Sequence, residues 1–304
     1  MQLKHSLAPS GESIYSQKSK IMKPLTSVEV DGRIDAVAVW DGLLMVATST
    51  LEGNVWDGCL TAVDITSGKA VASLPGTCGS ADICWGGHGT RVICADDSGD
   101  VRVCTWKADS PKDIVEVMVL GEHDDMTTAV DATDGESGLV ISGSSDRSIK
   151  IWDALNGRED SLDTYSAGHT SKVSDVQWKP DNGQTHIFAS SSIDHTVKIW
   201  DRRITNGVCT SFKRLGMPVL SLAWEPVEQH LVGLGLEDGS TAVLDIRNLA
   251  EPLKKQYVHA GRTNEVLFCP TSTCANGSSS LLASVGDDGF VVVERIDSTG
   301  VFTR

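Results

Sequence analysis

Tyrosine and phenylalanine are scarce in this chain of 304 residues, at 3 and 5, whereas tryptophan numbers 8. Basic charge is in deficit as well: 26 Lys and Arg face 41 Asp and Glu, a net charge of −15. That balance excludes non-specific binding to nucleic acid or to an anionic membrane surface, since both need a basic footprint. No apolar run approaches the ~18 residues that a membrane-spanning helix requires. The opening MQLKHSLAPSGE has no apolar core of the kind a secretory leader carries. The eight cysteines form no CxxC pair and fit neither a zinc site nor a dense disulfide framework, so they read as reduced, mostly buried thiols of a soluble intracellular chain. No GxxxxGK[ST], HExxH or GxSxG motif occurs, and no GxGxxG follows a strand. Stretches of helical periodicity capped at both ends are almost lacking. What remains is 29 glycines and short β-branched runs between turns, the composition of an all-β protein.

Those runs repeat. ISGSSDRSIKIWD (141–153) and ASSSIDHTVKIWD (189–201) are nearly superimposable, and weaker copies end at CLTAVD (59–64), DVRVCT (100–105), STAVLD (240–245) and FVVVER (290–295). Aligning the residue that ends the third strand gives Val63, Cys104, Trp152, Trp200, Leu244 and Val293, at intervals of 41 to 49 residues. This is close to the period of about 40–45 residues of a four-stranded WD40 blade. An alternating strand precedes a proline in three copies: Ser174–Trp178 before Pro180, Ser221–Trp224 before Pro226 and Glu265–Phe268 before Pro270. Alternation places Val176 and Trp178 on one face, so Trp85, Trp178 and Trp224 are expected in the core. The expected fold is an all-β WD40 propeller with six detectable repeats over 34–304. Residues 1–33 form an extension with room for one ring-closing strand. Whether six blades close the ring, or a seven-bladed ring is incomplete here, is open at this point.

The two best repeats share a further set. His123, Ser142, Asp146 and Trp152 correspond to His169, Ser190, Asp194 and Trp200, with Asp four residues after Ser in both. A Ser/His/Asp set invites a hydrolase reading. Its duplication argues against one, because a triad is needed once and a blade-stapling network is needed repeatedly. The acidic pairs Asp96–Asp97, Asp124–Asp125 and Asp287–Asp288 fall at turns, where solvated aspartate is the default.

The first repeat departs from the others. Taking Thr48 as the counterpart of that serine and Asp57 as the counterpart of that aspartate, about five residues are inserted, and Trp56 stands near the tip of a lengthened hairpin. LEGNVWDGCL (51–60) is similar to the corresponding loop of the methylosome protein 50 family, the WD-repeat partners of the type II (symmetric) protein arginine methyltransferase. GEHDDMTTAV (121–130) and SLAWEP (221–226) with LEDGS (236–240) resemble the same family, over roughly 34–304. The resemblance implies a seven-bladed, non-catalytic scaffold in a hetero-oligomer, found in cytoplasm and nucleus. It implies no metal or organic cofactor, S-adenosylmethionine belonging to the partner. It assigns docking on the methyltransferase to Trp56, as the aromatic that enters an apolar pocket, with Leu51, Asn54 and Val55 beside it. It also gives the acidic charge a use, attracting the Arg-rich tails of histones and Sm proteins. A competing resemblance lies in IFASSSIDHTVKIWDRR (187–203), which is similar to the DWD box of substrate receptors in cullin–RING ubiquitin ligases. There Arg203, with Asp201, would contact the adaptor.

Overall fold

A computed structural model of the chain describes residues 30–52, 55–109, 112–133, 138–154, 156–166, 168–180, 186–204, 208–211, 215–248, 251–269, 279–297 and 302–303. Its strands fall into six four-stranded antiparallel sheets in chain order. Blade one is β1 (Arg33–Trp40), β2 (Leu43–Glu52), β3 (Val55–Asp64) and β4 (Lys69–Gly76), and blade two is β5 (Ser80–Gly86), β6 (Arg91–Asp96), β7 (Val101–Lys107) and β8 (Asp113–Leu120). Blade three holds β9 (Thr127–Ala132), β10 (Leu139–Ser144), β11 (Ile149–Asp153) and β12 (Asp163–Tyr165). Blade four holds β13 (Val173–Trp178), β14 (Ile187–Ser192), β15 (Val197–Asp201) and β16 (Val208–Ser211). Blade five holds β17 (Val219–Trp224), β18 (Leu231–Leu236), β19 (Ser240–Asp245) and β20 (Lys254–Tyr257). Blade six holds β21 (Thr263–Phe268), β22 (Ser279–Gly286), β23 (Val291–Asp297) and β24 (Phe302–Thr303). This is the architecture of a WD40 β-propeller. Residues 1–29, and with them most of the expected ring-closing strand, lie outside the described residues.

Short strands of alternating residues cannot bury both faces within one sheet, so each blade packs on the next. The first strands follow one another around the molecule, β1 on β5, β5 on β9, β9 on β13, β13 on β17 and β17 on β21. Between blades one and two lie Met45, Leu60, Ile83 and Trp85. Between blades five and six lie Ala223, Val243, Val266, Phe268 and Leu282. Trp85 is buried between blades one and two, Trp178 between blades three and four and Trp224 between blades four and five.

A β-bulge interrupts each first-strand ladder at the same place, for example between Ser80 and Asp82, Val173 and Asp175, and Val219 and Ser221. A bulge re-aims the side chains beside it. Here it turns two of them toward the following blade. Thr128 Oγ1 donates to the Val173 carbonyl at 2.6 Å and Ser174 Oγ to the Val219 carbonyl. One position further along, Asp82 accepts the Val130 N–H at 2.9 Å, Asp175 the Leu222 N–H at 2.7 Å and Ser221 the Val266 N–H at 3.1 Å. Successive blades are thus joined backbone to side chain as well as through apolar packing.

The register corrects one alignment. Leu282 pairs with Glu294, as Phe188 pairs with Trp200 and Val232 with Leu244, so the sixth repeat's counterpart of the tryptophan is Glu294 and not Val293. The two end faces differ from every internal one. Leu267 and Val293 occupy the places of the buried Ala223 and Val243, yet both are more than half exposed. On blade one, Val37 and Val39 occupy the places of the buried Ile83 and Trp85 and are exposed too. No packing comparable to that between neighbouring blades joins β21 to β1 among the described residues.

Candidate functional site

Blade one's central hairpin is its longest ladder, running without interruption from Leu43–Asp64 to Glu52–Val55. Val46, not Thr48, holds the place that Ser142 holds in blade three, because Val37 and Val130 are matching first-strand positions. Val46 and its third-strand counterpart Val63 are 17 residues apart, against 10 for Ser142 and Trp152, so the extension is seven residues rather than five. The added residues continue both strands instead of looping out. Alternating side chains then carry Trp56 and its cross-strand partner Leu51 onto the row that faces blade two.

Below the tip, the stem is seated tightly. A Cβ on Gly58 would lie 1.9 Å from the Cys78 carbonyl oxygen, and one on Gly79 would lie 2.7 Å from Asp97 Oδ2 and 3.1 Å from Trp56 Nε1. Glycine at 58 and 79 is what lets the hairpin lie against the β4–β5 connection. The edge of the Trp56 indole rests over Gly79, while the residue stays 44% exposed and Leu51 62% exposed. Trp56 is therefore braced by its own propeller and still offered to solvent. Asn54 lies outside the described residues, as does the side chain of Val55.

In blade three, His123 Nε2 meets Ser142 Oγ at 2.8 Å and His123 Nδ1 meets Asp146 Oδ2 at 3.0 Å, while Trp152 Nε1 donates to Ser142 Oγ at 2.9 Å. Blade four repeats this at 2.7, 3.0 and 2.8 Å with His169, Ser190, Asp194 and Trp200. The indole N–H takes a lone pair of the serine, whose own proton then goes to the imidazole Nε2; Nδ1–H donates to the carboxylate. Proton polarity matches that of a hydrolytic triad. The serines, however, are fully buried and capped by tryptophan, so no substrate can reach them. Burial opposes charge on Asp194, but donors from Thr196, Thr170 and His169 outweigh it and hold its pKa at about 2. Burial also lowers His169 below the usual histidine range, which keeps the imidazole neutral.

A third such network escapes the repeat pattern. In blade six, His259 Nε2 meets Ser284 Oγ at 2.9 Å and Nδ1 meets Asp288 Oδ1 at 3.0 Å, with Glu294 where the tryptophan would stand. Asp288 is consequently no solvated turn residue. Nor is Asp96, which is buried, accepts from Ser80 Oγ at 2.7 Å and pairs with Arg102 Nε at 3.0 Å. Asp124 and Asp125 are exposed.

Arg203 closes a two-point pair on Asp201, Nε to Oδ1 at 2.9 Å and Nη2 to Oδ2 at 2.6 Å. This arginine, first among the causes, brings Asp201 down to about 2. One blade on, Arg247 holds Asp245 the same way, at 2.9 and 2.7 Å. A clamp repeated in consecutive blades is a device of the turn. No group of three or more potential metal-ligating side chains occurs among the described residues, and no helix there is long and apolar enough to cross a membrane.

The WD domain, G-beta repeat family matches residues 115–153 and 160–201, which contain β11 and β15 with their tryptophans. Methylosome protein WDR77 of Xenopus laevis is 26% identical over 270 residues, covering 86% of this chain and 76% of that protein. Histone acetyltransferase type B subunit 2 of Candida glabrata is 28% identical over 166 residues, 53% of this chain and 36% of that protein. Protein HEAT STRESS TOLERANT DWD 1 of Arabidopsis thaliana is 33% identical over 90 residues, 30% of this chain and 19% of that protein.

Proposed function

As a WD40 β-propeller similar to methylosome protein WDR77, the chain is, we propose, a non-catalytic adaptor that docks on a type II protein arginine methyltransferase through the Trp56 hairpin. One observation carries the reading. A regular, seven-residue extension of blade one ends in a half-exposed tryptophan, braced at its edge and still offered to solvent beside an exposed leucine. Large aromatics held rigidly by a scaffold lose little entropy on binding and dominate interface energies. The buried, tryptophan-capped serines remove the one constellation that suggested catalysis. With a net charge of −15, the propeller surface attracts basic peptides such as the Arg-rich tails of histones and Sm proteins, at short range once salt screens beyond about 8 Å. An adaptor for both substrate classes would work in cytoplasm and nucleus.

The test is Trp56→Ala, with affinity for the purified methyltransferase and the melting midpoint of the free propeller measured on the same protein. Truncating a buried aromatic anchor costs about 2 kcal/mol or more, roughly thirtyfold in affinity. The midpoint should move little. A lowered midpoint with unchanged affinity would make Trp56 a packing residue and end this reading.

A further inference from the structure

Blade three differs from its neighbours in what it offers to the blade before it. Ala132 pairs with Val140 as Trp85 pairs with Val92, Trp178 with Phe188, Trp224 with Val232 and Phe268 with Leu282. An alanine thus takes the place of the aromatic that four other blades turn toward the preceding one. A second position repeats the change. Two residues past the third-strand ladder partner of Val140 stands Ala154, where the same count gives Trp106, Arg202, Ile246 and Ile296 in blades two, four, five and six. Two small side chains at one level leave an apolar crevice between blades two and three, walled by Ile93 and Val103 on one side and by Ala132, Val140 and Ala154 on the other. It holds about 230 Å³ of empty space, counted out to its open mouth. The two first strands already lie close, for a Cβ on Gly86 would be 2.9 Å from Ala132 Cβ. What is left beside them is a slot, and a slot suits a flat ring.

At the mouth stands Arg91, whose Nη1 donates to Thr105 Oγ1 at 2.7 Å. That bond steadies the guanidinium and leaves its charge unmatched. Arg102, Arg202, Arg203, Arg247 and Arg262 each face a carboxylate, whereas none pairs with Arg91 among the described residues. We infer that the crevice between blades two and three receives a large apolar side chain, aromatic by the precedent of the other interfaces, from an acidic segment of a partner protein whose carboxylate meets Arg91. Burial of the ring supplies the affinity. A charge-assisted pair with the guanidinium fixes the direction of the segment. The site is separate from the Trp56 hairpin. That hairpin joins second strand to third, whereas the crevice opens beside Gly87 and Gly138, where first strands connect to second ones at the other end of the blades. Each site can fail without the other.

Methyl-resolved nuclear magnetic resonance of the full chain, titrated with the end-capped peptide Glu-Trp-Glu, tests this. The methyl groups of Ile93, Val103, Val140, Ala132 and Ala154 should shift together and saturably. Those of Ile199 and Val232, at the matching places between blades four and five, should stay where they are. Glu-Ala-Glu should move none of them. Exchanging the peptide's glutamates for lysines, or Arg91→Gln in the protein, should each weaken binding about fivefold, the measure of one accessible ion pair. Ala132→Trp supplies the missing ring from within, so it should abolish the shifts and raise the melting midpoint. Should that variant not fold, Arg91→Gln and the two control peptides decide the matter on their own. The inference is overturned by no saturable shift at these methyls, by an equal response at Ile199 and Val232, by Lys-Trp-Lys binding as well as Glu-Trp-Glu, or by binding that survives Ala132→Trp.

Discussion

Ser142, Ser190 and Ser284 each aim a hydroxyl at a histidine, and all are buried. Their value is to the fold, and it can be measured. Asp194→Ala strips partners from the buried His169 imidazole and from the Thr170 N–H, and weakening the buried imidazole's hydrogen bonding costs about 1–3 kcal/mol. The melting midpoint should drop by several degrees, and His259→Ala should weaken blade six comparably. The pH dependence has a fixed sign. Because Asp194 is held at about 2, below its unfolded value, its contribution is complete above about pH 4 and is lost as pH falls through 2. A wild-type advantage over Asp194→Ala that grew on acidification would contradict this. Two of these networks were legible in the sequence because the tryptophan flagged them. The third was not, since Glu294 replaces the flag, although the spacing of Asp288 four residues after Ser284 was there to read. The burial of Asp96 is hidden in the sequence for a related reason: its partners Ser80 and Arg102 come from two other strands, and only the fold brings them to it.

At the level of the strand and hairpin, the decisive features are the bulged first strand and the stem of blade one. Desolvation at the junction with blade three pushes Asp82 up to about 6. Its folded pKa thus exceeds its unfolded one, so the native state binds the extra proton and stability falls as pH rises from about 4 through 6. Asp82→Asn keeps a carbonyl oxygen for the Val130 N–H and has no charge to bury. Relative to wild type, this variant should gain stability across that window and hold the gain at pH 7. A difference independent of pH would refute the account. Gly79→Ala is expected to push the Trp56 indole off its seat and to crowd Ser49 Cβ, altering the indole fluorescence and lowering the midpoint, since glycine there is what lets the hairpin lie close. The hairpin's existence was plain from the sequence; its length was not. Matching hydroxyl to hydroxyl equated Thr48 with Ser142, whereas the ladder equates Val46 with it. Register follows from the bulge, and bulges leave no mark in a sequence whose residues at that point range from Ala36 through Asp82 to Ser221.

For the molecule as a whole, six period-45 copies were enough to establish the architecture, because a blade cannot bury its faces alone. The fate of the end faces was not legible. It depends on what packs against Val39 and Val293, and a repeat count is silent about that. Blades two to five are each supported on both sides, so in the manner of linear repeat arrays their stability includes two interface contributions. Blade six has one neighbour among the described residues. It also differs chemically: Phe268 stands where blades two, four and five carry tryptophan and Glu294 where blades three and four do, and the eight tryptophans, at 40, 56, 85, 106, 152, 178, 200 and 224, are confined to blades one to five. Indole emission is consequently blind to the last sheet, whereas far-ultraviolet dichroism counts its strands in full. In His259→Ala the dichroism signal should begin to decay several degrees before the fluorescence does, while in Asp194→Ala the two curves should move down together. The same asymmetry gives blade six a use as a dark reporter position: a single tryptophan introduced there, at Phe268, would be read against a background whose every other indole answers for a different part of the protein.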